Sequence, residues 1–510
     1  MLIEHPRIYL DATGARTDAL LVRHGEIAAT GDDARHGATA DDRRLRPDAT
    51  CLFPALGDAH IHLWGLGQRA GTVDLSGCTV DETLQRLSDA SPTPTGWVFA
   101  TNLDDHQFDD ATVLSRQDLD RLFPDVPVVI HRVDRHALWV NSTALDRADF
   151  SSYDPGASGR IIRNDRGEAT GVLVDSAMEP MLDAVPDRGL AEDRDVLFDS
   201  CRRFRDQGVA FGTVAWAPTS HLPMLQQLDD DGALPMMLDV LIEGVDDELH
   251  TWLDDGPYTG DDLRIGGVKF FADGALGSGG AHLLEPYRDG GTGLKIHDDG
   301  FLKRRIPQIM ERGWQVAVHA IGDAAVREVL DAYAATDAKT RSTLRPRVEH
   351  AQMVSPDDCR RFVDLDVIAS IQPIHLRSDA PWADQKLNPR QLRRLFPWRS
   401  LPIATMAAGS DYPIDDPNPW HGIATALTRH GAEGEAFRPD DALARTEILK
   451  AYTQGAAYAS HREDQLGTLH PGFRAAIAAL DTDPLAADPE DIWDTHARLV
   501  DTGVLASARL

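Results

Sequence analysis

Residues 51–63 read CLFPALGDAHIHL, an apolar run that ends in two histidines one residue apart. In an extended strand residues two apart project to the same side, so His60 and His62 present paired imidazoles at the carboxyl end of the run. The same plan recurs down the chain. GVAFGTVAW, LPMMLDVLIE, LRIGGVKFFADG, WQVAVHAIGD, RPRVEHAQM, VIASIQP and IATMAAGSD are further strand-like runs, alternating with amphipathic helical stretches. That alternation predicts parallel βα units, and the eight runs make the α/β fold a distorted TIM (β/α)8 barrel.

Two other strand-like runs, WVFATN and VPVVIHRV, fall in an Asp- and Pro-rich stretch without regular βα spacing. They are assigned to an insertion after the first barrel strand, roughly residues 70–195. The first fifty residues carry short runs broken by turn signals, and LGTLHPGFRAAIAALDTDPL repeats that texture near the other end. Residues 1–53 and 466–510 are therefore expected to build one small β-sandwich domain beside a barrel of residues 54–465. There is no internal repeat and no low-complexity segment.

In a βα barrel the carboxyl ends of the strands meet on one face, and that face holds the active site. Lys269, His319, His350 and Asp411 occupy such ends, as His60 and His62 do. Alone, an HxH pair is as readily a polar strand end; four strand-end histidines together point to a divalent metal. Lys269 is the first lysine in the chain, which has only six against 45 arginines. Its place in an apolar run calls for a partner or an altered charge state, such as a carbamate formed with CO₂, rather than idle exposure. Asp411, in MAAGSDYP, suits both ligation and uptake of a proton from water, although an SD pair also caps helices.

Composition narrows the classes. Hydrophobic content of 42% and charged content of 26% describe a folded chain. A formal net charge of −31 repels phosphate backbones, so no nucleic-acid partner is expected, and no apolar run nears the roughly 20 residues of a membrane span. The amino terminus lacks the cationic start and apolar stretch of a signal peptide, so a cytoplasmic location is expected. The four cysteines are scattered and read as reduced thiols. A small-molecule substrate and a homodimer complete the expected partners. Acidic excess with scarce lysine suits a salty, halophile cytoplasm. Thermal stability is then expected to rise with KCl well beyond about 0.15 M, and a melting temperature flat into molar salt would reject that reading.

With these residues in view, the sequence resembles the amidohydrolase superfamily, in the branch typified by N-substituted formamide deformylases (amidohydrolase family 3). The similarity covers nearly the whole chain. Its markers are PALGDAHIHL (54–63), HALWVNSTAL (136–145), GRIIRNDRGEATGVLVDSA (159–177), VKFFADGALGSGGAHLLEPY (268–287), VHAIGDAA (318–325), RVEHAQM (347–353), SIQP (370–373), GSDYP (409–413) and LGTLHPGF (466–473).

The resemblance implies a metal-dependent hydrolase acting on a C–N bond of an amide, formamide or imide. The metal ligands would be His60, His62, Lys269 (free or carbamylated), His319, His350 and Asp411, around one or two ions, zinc first, with Asp411 as general base. His136, Arg135 and Trp139 are expected as substrate-binding residues. Branch members commonly read Asp-Gly-His where this chain has Asp134-Arg135-His136; Arg135 either recognises a substrate carboxylate or points away at the surface. Ala476 in PGFRAA and Gly279 also depart from the branch pattern. Two other readings are a single-metal, deaminase-like member of the same superfamily and a metal-free scaffold protein. Lys269 and the lack of an HxxE after the fifth strand count against the first, and the full set of strand-end ligands counts against the second.

Overall fold

A computed structural model describes residues 1–503 apart from 65–71, 94, 106–107, 109–113, 151–152, 154–158 and 187–188. Of the expected insertion, residues 70–71, 94, 106–107, 109–113, 151–152, 154–158 and 187–188 lie outside the described residues, as do 504–510 of the expected terminal domain. The chain divides into two compact units. The first comprises Met1–Leu63, Leu197–Phe270 and Gly300–Leu510, and the second Trp64–Val196 and Phe271–Asp299.

The first unit carries the barrel. Its strands are β1 (Leu56–Ile61), β2 (Val209–Ala217), β3 (Met237–Glu243), β4 (Leu263–Phe271), β5 (Gln315–Ala320), β6 (Arg347–His350), β7 (Ile368–Ile371) and β8 (Ala407–Ala408), adjacent in that order. The pairings are parallel. The ring is nearly closed: past β8, Tyr412 bridges Ile61 in parallel, Asp411 donates its backbone N–H to His60 O at 2.9 Å, and His62 donates to Tyr412 O at 2.7 Å. Because helices cover the outside and side chains fill the inside, these strands are buried on both faces, which is why they read as continuous apolar runs rather than alternating ones.

The helices between them follow from capping and periodicity. Pro356–Asp364 starts at Ser355, whose side chain accepts the Asp358 N–H, has proline in its first turn, and buries Asp358, Cys359 and Phe362 along one face. Asp323–Ala334 follows β5 directly and buries Val326, Val329, Leu330 and Tyr333 at helical spacing.

Both chain ends meet in one seven-stranded sheet. Ile477–Leu480 pairs antiparallel with Cys51–Pro54, which lies beside Leu2–Tyr9. Ile3, Ile8, Leu20, Val22, Leu52 and Ile477 pack one cluster of its core. The segment that enters β1 is therefore pinned by a strand nearly the length of the chain away.

The second unit is built on a six-stranded sheet that includes Val98–Leu103 and Val128–Arg132. Its second segment, 271–299, lies outside the stretch that the sequence marks as inserted. Among the described residues no helix is long and apolar enough to cross a membrane.

Candidate metal centre

The barrel brings the strand-end side chains of the first unit together. His60 Nε2 lies 3.3 Å from His62 Nε2 and 3.3 Å from Asp411 Oδ1, and His62 Nε2 lies 3.2 Å from the same oxygen. Tetrahedral ligands held at about 2.0–2.1 Å from one ion stand about 3.3 Å apart, so these three atoms fit such a position. The ring centroid of His350 is 4.9 Å from that of His60 and 4.6 Å from that of His319. Lys269 is 1% exposed, and its charge acts on His60, Glu349 and Asp411.

The electrostatics suit ligands. Burial pushes the His62 and His350 rings down, leaving them neutral with lone pairs to offer. Burial alone would raise Asp411, but His60, His62 and His350 hold its carboxyl well below the usual range. Burial pulls Lys269 down to about 8 against the opposing pull of Glu349 and Asp411. Asp411 Oδ1 and His350 Nδ1 are buried and make no hydrogen bond, as expected of atoms whose partner is an ion.

Supporting groups set this geometry. Glu349, fully buried beside His350, meets His60 Nδ1 at 2.5 Å and so aims Nε2 at the centre. Arg347 clamps Glu349 with Nε on Oε1 at 2.7 Å. Asp58 accepts the backbone N–H groups of His60 and Ser410 at 3.0 Å and thereby ties β1 to the loop after β8. Gly409 allows this approach, since a Cβ there would lie 2.4 Å from Asp58 Oδ1. His350 (φ 72°), Ala351 (φ 43°) and Asp411 (φ 60°) all sit in the left-handed region, strain of the kind that collects at functional sites.

One further histidine joins the group. His375, in the short helix His375–Asp379 after β7, places Nε2 3.6 Å from Asp411 Oδ2 and 3.6 Å from Asp415 Oδ2. It lies outside the SIQP motif; its one sequence signal is a histidine two residues past that motif. Glu349 was also missed, hidden inside RVEHAQM as the neighbour of a presumed ligand.

The remaining expected residues belong to the second unit. His136 Nδ1 meets Asp175 Oδ1 at 2.7 Å, and although burial opposes it, Asp175 and its acidic neighbours raise the ring to about 9. Arg135 is buried, so its surface alternative falls away; it donates to Asn102 Oδ1 at 3.0 Å. Its φ of 63° lies in the left-handed region that glycine adopts freely and where another residue costs about 1–2 kcal/mol. Trp139 packs into an apolar core with Leu75, Val98, Val128 and Ile130.

Comparison with known proteins agrees with this architecture. The amidohydrolase family model matches residues 50–501. YtcJ of Bacillus subtilis (strain 168), named as an amidohydrolase, is 32% identical over 500 residues, covering 94% of this chain and 93% of its own. An N-substituted formamide deformylase from Arthrobacter pascens is 26% identical, covering 93% and 92%. The crystal structure of an uncharacterized metal-dependent hydrolase from Pyrococcus horikoshii OT3 superposes with a TM-score of 0.79 at 25% identity, covering 96% of this chain and 99% of that one. With the barrel, the strand-end histidines and a match over nearly its whole length, the chain belongs to the amidohydrolase family, a family of hydrolases.

Proposed function

We propose that this protein hydrolyses a C–N bond of a small amide, formamide or imide, using a divalent metal, zinc first, held by His60, His62 and Asp411. The observation that carries the reading is the triangle of donor atoms at 3.2–3.3 Å at the strand ends, two of them buried and His62 half-buried. Lys269, as amine or carbamate, with His319 and His350, extends the ligand set. The named relative that cleaves formamides supports the bond class.

An amide resists water because its carbonyl is a weak electrophile and its amine a poor leaving group. A divalent ion, when bound, supplies Lewis acidity that polarises the carbonyl and lowers the pKa of water towards about 7. The chain's own residues do the rest. Asp411 takes the proton from the attacking water on Oδ2, the oxygen turned away from His60 and His62, and delivers it to the departing nitrogen. Glu349 keeps the proton of His60 on Nδ1, so Nε2 stays an acceptor facing the centre.

Elemental analysis tests the ligands. Wild type is expected to copurify with one to two equivalents of divalent metal, and the His60→Ala/His62→Ala double variant with almost none. Full metal content in that variant would place the centre elsewhere.

A further inference from the structure

Arg462 is 6% exposed, and an arginine does not shed its charge when buried. Nη1 donates to Asp261 O at 3.5 Å, the long limit of a hydrogen bond. Nε and Nη2, the two donors along the side edge of the guanidinium, are buried and make no hydrogen bond. Their N–H groups point the same way, in the fork that arginine offers to an anion.

The carboxylates near Arg462 are already engaged. Asp239, Arg474, Asp262 and Arg264 are the charges that act on it. Arg264 Nη1 holds Asp239 Oδ1 at 2.6 Å, and Arg474 pairs with Asp262. The adjacent Glu463 pairs with Arg345. These pairs cancel, which leaves Arg462 as one surplus positive charge. Arg264 is not placed to release Asp239: its guanidinium is seated against Gly266, where a Cβ would lie 2.1 Å from Cζ, and its Nη2 donates to Gly266 O at 3.3 Å. His461 adds no charge, because burial beside Arg264 and Arg345 pushes its ring down to about 4.

We infer that the Nε–Nη2 fork of Arg462 holds a small monovalent anion of the chloride class at the amino-terminal end of the barrel. One surplus charge matches one negative charge, and a divalent oxyanion would overshoot it beside Asp239 and Asp262. A water molecule would meet the hydrogen bonds but leave the buried charge uncompensated. The location gives the anion its task. Asp239 is the third residue of β3 and Arg264 the second of β4, and Asp261 and Asp262 lead directly into β4. The site therefore lies at the opposite end of the strands from the metal centre, the end that serves stability in barrels. Arg462 follows the short helix Ala456–Ala459, and Arg474, just before Ile477–Leu480 of the terminal sheet, shares Asp261 O with it at 3.2 Å. A bound anion fastens the segment that runs from the barrel to that sheet onto the starts of β3 and β4. None of this depends on the metal-dependent reading.

The test is thermal melting of the full chain at fixed ionic strength, with potassium gluconate replaced stepwise by potassium chloride. Gluconate is too bulky for a buried fork, so screening stays constant while the available anion changes. The wild-type midpoint is expected to rise by several degrees as chloride fills the site, and Arg462→Leu is expected to lose that rise. A wild-type midpoint indifferent to the exchange would overturn the inference, with water then linking Arg462 to Asp239 Oδ2, which also makes no hydrogen bond. An undiminished rise in a folded Arg462→Leu would overturn it too, by placing the chloride elsewhere. Should that variant fail to fold, wild-type crystals grown in bromide decide the matter. An anomalous peak at the Arg462 fork supports the site, and a map without one there rejects it.

Discussion

Asp411→Asn is expected to cut turnover by about 10² or more while leaving the fold and much of the metal in place. The physical case starts with the backbone. Asp411 has a φ of 60°, a region where most L residues are strained and asparagine is among the best tolerated, so the replacement adds little strain. Its backbone N–H still bonds His60 O, so the strand-end geometry survives. The amide oxygen of asparagine can stand in for Oδ1 as a neutral ligand between His60 and His62. What it lacks is a second oxygen that accepts a proton. The variant therefore separates ligation from proton transfer. Measurement requires a library of amides and formamides, elemental analysis of the variant, and its far-ultraviolet circular dichroism. A variant that hydrolyses every responsive substrate at the wild-type rate would remove Asp411 from the role of base.

Much of this architecture is legible in the sequence because a barrel writes a simple code. Each strand is a short apolar run buried on both faces, and its function sits in the polar residue at the carboxyl end. His60, His62, His319, His350 and Asp411 obey that code, and the short separations among them show one cluster. His375 does not obey it. It lies on a five-residue helix beyond β7, and its orientation depends on contacts with Gln352 and Trp493, which no local pattern announces. Glu349 escapes for another reason: within a four-residue strand a single acid next to a histidine gives no sign of whether it turns inward. Segment 271–299 is Gly-rich and carries no regular helix or strand beyond the end of β4, so it reads as a barrel loop although it packs with the second unit. Terminal strand pairing was legible only as texture. Which strand meets which is fixed by contacts hundreds of residues apart, as between Ile477–Leu480 and Cys51–Pro54.

Arg347→Met is expected to destabilise the barrel by about 3–5 kcal/mol, the cost of removing one partner from a buried ion pair. Arg347 is fully buried, and its guanidinium binds Glu349 through Nε at 2.7 Å and Nη2 at 3.1 Å. Nη2 also reaches Ala59 O at 2.6 Å and Ser370 Oγ at 3.2 Å, so one side chain joins β1, β6 and β7. Burial raises the Glu349 carboxyl, but Arg347 and His60 outweigh it and hold it below its ordinary value. That contribution to stability is present at neutral pH, above the unfolded pKa, and is lost as pH falls through the acid range. Methionine fills much of the space but leaves the carboxylate without its guanidinium. The effect is read as a fall in the urea midpoint of barrel unfolding, because two units need not unfold as one. Adding Glu349→Leu removes the orphaned charge, so Arg347→Met/Glu349→Leu is expected to regain much of the lost stability. It is not expected to regain metal. Without Glu349 nothing fixes the tautomer and aim of His60, and affinity is expected to fall about 10–100-fold. A double variant that recovers both stability and wild-type metal affinity would show that Glu349 serves the barrel alone; recovery of stability without affinity would tie this buried ion pair to the metal centre.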